Sequence, residues 1–96
     1  MSVRVTLNCN VKHGQLDMLL PFLEQNLPNV RGFDGCVGVS VYFDEGRSEM
    51  LLEEEWLSTE QHHAYIKHID SNGVLGELAQ FLESAPTIKY FIKEEV

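Results

Sequence analysis

From Val3 to Val11 apolar and polar residues alternate without a break, and from Leu16 onward the apolar residues recur at steps of three and four. The first period belongs to a strand with one buried face, the second to an amphipathic helix. Both periods then return. Cys36–Asp44 reads as a second strand with Val37, Val39, Val41 and Phe43 on one face, and Glu49–Trp56 reads as a third. The short polar loop Asp44-Glu45-Gly46-Arg47 between them predicts an antiparallel hairpin. Ser58, with Gln61 three residues on, is the start signal of a helix running to about Asp70. A short helical stripe from Val74 to Leu82 and a last strand, Thr87–Lys93, complete the chain. The order strand, helix, strand, strand, helix, strand is satisfied by a four-stranded antiparallel sheet with the helices on one face, an α+β fold of the ferredoxin-like kind.

Two prolines disturb the first helix. Pro21 predicts either a helix that begins only a few residues before it or a kink there, and Pro28 predicts that the helix ends or distorts near Asn26-Leu27. Arg31-Gly32-Phe33-Asp34-Gly35 is turn chemistry. The 96 residues make a single domain, 1–96. A chain of this length buries only about 60–65% of its unfolded surface, so a partner that covers more surface would stabilise it. In the third strand Met50, Leu52 and Trp56 share a face, while Leu51 lies among Glu49, Glu53 and Glu55 on the other. One sheet face is thus apolar and the other mixed, which predicts a homodimer.

Seven basic residues against fifteen acidic ones give a net charge of −8, a field that repels phosphate backbones and argues against a nucleic-acid partner. No apolar run nears the ~20 residues of a membrane span, and the N-terminus lacks the apolar stretch of a signal peptide, so the expected location is the cytoplasm. Cys9 and Cys36 stand singly, outside any CxxC pattern, and are expected to be reduced and buried.

The stretch Leu52-Glu53-Glu54-Glu55-Trp56-Leu57-Ser58-Thr59-Glu60-Gln61-His62-His63-Ala64-Tyr65 resembles the antibiotic biosynthesis monooxygenase domain family, with its strand ending in Glu-x-Trp before a Ser-started helix. Arg31–Cys36 is similar to that family's lead-in to the second strand, and Ser84–Phe91 to the closing strand of the quinol monooxygenases of the group. The resemblance implies a dimeric α+β barrel with a pocket between sheet and helices in each subunit. It also implies oxygenation of a small phenol, quinol or polycyclic aromatic without flavin, metal or haem. That chemistry needs a dry cavity, a base and donors for an oxyanion.

Many members of the family carry a histidine where this chain has Tyr65, a group of ordinary pKa ~10 and a poor base at neutral pH. His62 and His68 are the replacement candidates, because His62, Tyr65 and His68 follow one another at three-residue steps. The ordinary expectation for histidines on such a helix is solvent exposure, and for His63 it is the strong one. A metal site is not expected, since His62 and His63 diverge by roughly 100° and a six-residue step is not the spacing of zinc helices. Trp56 is either a core anchor or a pocket wall for a flat ring. Asn8, on the polar face of the first strand, is a candidate donor to a substrate oxygen. Glu54 shares the Met50-Leu52-Trp56 face, and if it points inward it must be paired or protonated and would then make a base. The expected catalytic set is therefore His62, Tyr65 and Asn8, and the expected substrate contacts are Trp56, His68 and Glu54. Relatives in the superfamily that degrade haem use an asparagine, a tryptophan and a histidine. Here Asn8 is out of register and Tyr65 replaces the histidine, so that activity is not adopted. The alternative to an enzyme is a dimer that binds a small ligand or has a structural role without catalysis.

Overall fold

The computed structural model describes residues 2–96. Its elements run β1 (Val3–Asn10), α1 (Leu16–Arg31), β2 (Cys36–Phe43), β3 (Glu49–Trp56), α2 (Thr59–Ser71), α3 (Val74–Ala79) and β4 (Thr87–Phe91). The strands form one antiparallel sheet in the order β2-β3-β1-β4. This is the ferredoxin-like α+β arrangement that the hydrophobic periods predict, with the second helical region divided at Asn72-Gly73.

The strict alternation in β1 places Val3, Val5, Leu7 and Cys9 in the core and leaves Arg4 and Asn10 exposed. Residues paired across an antiparallel ladder share a face. Leu7 opposite Leu52 and Val5 opposite Glu54 therefore put alternate residues of β3, Met50, Leu52, Glu54 and Trp56, on the same inner side. The helices bury that side with Leu19, Leu23 and Val30 of α1, Tyr65 and Ile69 of α2, and Leu78 of α3. No helix among the described residues is long and apolar enough to cross a membrane.

Four local expectations are corrected. The first helix does not stop near Asn26-Leu27; α1 passes through both Pro21 and Pro28 to Arg31. A helix can survive the missing N–H groups when a buried stripe holds it, and Leu19, Leu23 and Val30 supply that stripe on both sides of the prolines. Val37 does not share the face of Val39, Val41 and Phe43. A β-bulge between Cys36 and Gly38 inserts one extra residue, so Cys36 takes the inner place opposite Trp56 and Val37 turns out to solvent. The last strand ends at Phe91, and Leu82 lies beyond α3, pairing with Val11 as an isolated bridge.

Candidate active site

One row of side chains crosses the middle of the inner sheet face: Val39 on β2, Glu54 on β3, Val5 on β1 and Tyr90 on β4. Glu54 is only 3% exposed, with an apolar residue beside it on each neighbouring strand. Its carboxylate accepts a hydrogen bond of 2.8 Å from Nε1 of Trp56, two residues on along the same strand face. Burial raises the Glu54 pKa above the usual carboxylate range, and the Trp56 bond opposes that rise.

Helix α2 lays His62 over this row. Ser58 caps the helix, its hydroxyl accepting from the backbone N–H of Gln61, and this sets the phase in which His62, Tyr65 and Ile69 face inward. His62 is fully buried rather than solvated. Its Nδ1 lies 2.8 Å from the hydroxyl of Tyr90, and its Nε2 lies 3.6 Å from Oε1 of Glu54 with no hydrogen-bond partner. Burial, with the neighbouring charge of His63 as a smaller cause, lowers the His62 pKa to about 4. The 3.6 Å contact is therefore not an ion pair at neutral pH, close as the two groups stand.

Aromatic rings enclose the cluster. Trp56 meets His62 at 5.3 Å and Tyr65 at 5.4 Å between ring centres, and Phe33 closes on Tyr65 at 5.1 Å. Beside them a cavity of about 50 Å³ lies between the sheet and all three helices, lined almost wholly by apolar side chains together with Glu54, Tyr65 and Asn26. Burial, and then the carboxyl of Glu54, raises the Tyr65 pKa.

The structure thus brings His62, Tyr65, Trp56 and Glu54 together and leaves out two residues that the sequence had grouped with them. Asn8 pairs with Leu51 on the outer face of the sheet, with the strands between it and His62. The parity of β1 decides this, because the helices cover the face of Val3, Val5 and Leu7. His68 is exposed against the ring of Phe33. Each three-residue step falls short of a full turn by roughly 60°, so two steps carry His68 about 120° from His62, whereas Ile69 returns to the buried stripe. Trp56 has no exposed surface and does not line the cavity; it is packed in the core with its indole N–H donated to Glu54. Among the described residues no group of three or more metal-ligating side chains comes together.

Three contributors were missed. Tyr90 reads from the sequence only as an apolar-face residue of the last strand; its meeting with His62 depends on the pairing of Tyr90 with Val5. Phe33 reads as part of a turn, and Asn26 as the polar side of α1. Nothing in their spacing sets them apart.

No family model matches the chain, and no curated protein sequence matches it. Solved structures do. A conserved protein from Methanosarcina mazei superposes with a TM-score of 0.87 at 17% identity, covering 98% of this chain and 94% of that one. A candidate antibiotic biosynthesis monooxygenase from Bordetella bronchiseptica gives 0.85 at 14% identity, covering 98% of each chain. A structure named antibiotic biosynthesis monooxygenase gives 0.85 at 13%, covering 97% and 99%. The fold is that of the antibiotic biosynthesis monooxygenases. Identities this low establish shared architecture alone, and a fold does not fix the chemistry carried on it.

Proposed function

We propose that this chain is a monooxygenase that oxidises a small phenol, quinol or polycyclic aromatic with dioxygen and without a bound cofactor. The observation that carries the reading is Glu54, a carboxyl group buried at the edge of an apolar cavity with its pKa raised toward that of a useful base. In the reaction Glu54 takes a proton from the substrate, and the resulting electron-rich anion supplies the electrons. A ring carbon bonds one oxygen atom of dioxygen and becomes a carbonyl; the other oxygen leaves as water with the two hydrogens lost by the substrate. Tyr65 and Asn26, which line the same cavity, would orient the substrate oxygen. Trp56 keeps the carboxylate aimed, and the enclosing rings keep water out.

A cavity of about 50 Å³ has room for a water molecule but not for an aromatic ring, so binding requires the pocket to widen. The part suited to move is α3. It is six residues long, contributes Val74, Leu75 and Leu78 to the lining, and follows Gly73, whose φ of 91° suits glycine. The test is oxygen uptake by chelator-treated protein over a panel of naphthols and hydroquinones, with Glu54→Gln as the key variant. Uptake by the wild type and a loss of about 100-fold or more in E54Q is the expected result. No uptake from the folded wild type across the panel overturns it.

The small cavity favours one other reading, a small-ligand-binding or structural protein without turnover. In either case the working unit is proposed to be a homodimer, supported by exposed Tyr42 and Phe91 on the outer sheet face. A cytoplasmic location fits the two free thiols of Cys9 and Cys36.

A further inference from the structure

We propose that Glu54, His62 and Tyr90 form a proton relay, in which His62 and the Tyr90 hydroxyl connect the buried carboxylate to water at the edge of the sheet. The proposal rests on the reading of Glu54 as the base and adds the route by which its proton leaves and returns.

The geometry calls for such a route. Glu54 and Tyr90 stand on strands separated by β1, about 10 Å apart at the backbone, with Val5 between them. A proton placed on Glu54 has no way out through the apolar floor. His62 spans the gap above Val5, one ring nitrogen toward each group. Tyr90 belongs to an edge strand and is 36% exposed, which makes it the most exposed residue of the three.

The distances assign the resting tautomer. Nε2 and Oε1 of Glu54 are 3.6 Å apart, too far for a hydrogen bond, although both belong to buried groups that would gain from one. Two bare lone pairs facing each other explain the separation. The ring proton is then on Nδ1 and is donated to the Tyr90 oxygen across 2.8 Å. From that state one proton can leave in a single concerted shift. The proton that Glu54 has taken from substrate passes to Nε2, the Nδ1 proton passes to the Tyr90 oxygen, and the Tyr90 hydroxyl proton passes to water. His62 ends as the other neutral tautomer, its Nε2–H donating to the Glu54 carboxylate. The reverse shift returns one proton from water, through Glu54, to the peroxide oxygen that departs as water, and restores the first tautomer. His62 never becomes an imidazolium, consistent with a group that burial keeps uncharged. The titratable groups facing His62 are Glu54 from β3, Tyr90 from β4 and Tyr65 on its own helix, with His63 against the Tyr90 ring at 5.4 Å.

Two readouts on Tyr90→Phe test the relay: the His62 tautomer by nitrogen NMR, and oxygen uptake separated into kcat and KM. The expected wild type carries the proton on Nδ1. In Y90F, with no acceptor beside Nδ1, the proton moves to Nε2, and kcat falls about tenfold with KM unchanged. A wild type already protonated on Nε2 overturns the proposal, as does a Y90F protein that keeps its tautomer or its kcat. Should Y90F not fold, the wild-type tautomer alone decides. Should the wild type show no turnover on any substrate, the base reading fails, and the tautomer shift decides separately whether the three groups are coupled.

Discussion

Glu54 and His62 are held side by side in the dry interior, and burial moves them in opposite directions along the pH scale. His62 falls from 6.5 to about 4. The unfolded chain therefore binds a proton that the folded chain refuses, and the stability contributed by neutral His62 is present above pH 6.5 and lost as the pH falls through that window. At 1.36 kcal/mol per pKa unit the loss approaches about 3 kcal/mol. Glu54 is raised, so its contribution is present below 4.5 and lost as the pH rises through its folded value. Glu54→Gln keeps the acceptor for Trp56 and removes the buried charge. Melting curves should show E54Q more stable than wild type at pH 8, with the loss below pH 6.5 retained. An E54Q protein less stable than wild type at pH 8 would mean that the carboxylate is better solvated than its 3% exposure implies. Higher stability together with lost oxygen uptake would mark Glu54 as a group kept for chemistry at a cost to the fold.

At the scale of elements, the site depends on how α2 begins. Gly35 adopts a φ of +93°, and a Cβ there would come within 2.5 Å of the Gln61 side chain, on the first turn of the helix that carries His62. Its carbonyl also accepts from the N–H of Leu57, which ties the β2 lead-in to the end of β3. Gly35→Ala should cost about 1–3 kcal/mol in denaturant unfolding, from backbone strain and overlap together. Gly76 is the contrasting position. It sits inside α3 with open space around it, so Gly76→Ala should stabilise by about 0.5–1 kcal/mol. Equal effects at the two positions would show that contact with Gln61 is not what Gly35 provides.

For the molecule as a whole, the inner face of the sheet is covered and the outer face is not. Tyr42 and Phe91 are each about half exposed there, and Leu51 lies among Glu49, Glu53 and Glu55. Association through this face would bring together two chains of net charge −8, so added salt should strengthen the dimer by screening their repulsion. Sedimentation of the wild type should give a dimer at micromolar concentration, tighter at higher salt, and Tyr42→Glu with Phe91→Glu should give a folded monomer. A monomeric wild type would remove the outer face as an interface.

The sequence by itself determined the features that depend on neighbours along the chain. The alternation from Val3 to Val11 set the buried face of β1, the Ser58 cap set the start of α2, and the place of Glu54 on the face of Met50, Leu52 and Trp56 singled it out as the carboxylate to watch, which the structure then buried. These are local because strand and helix periods are properties of consecutive residues. Only the tertiary structure decided what stands opposite what. The bulge at Val37 shifts the phase of β2, and Asn8 faces away from the helices. Val5 pairs with Tyr90, which puts a tyrosine 2.8 Å from His62 although the two are 28 residues apart in sequence. Register between strands is set by the packing of whole faces, and no periodicity within one strand records its partner. The Glu-x-Trp strand end and the helix after it were legible as the candidate site. That Tyr90 meets His62 beside it was decided by the fold.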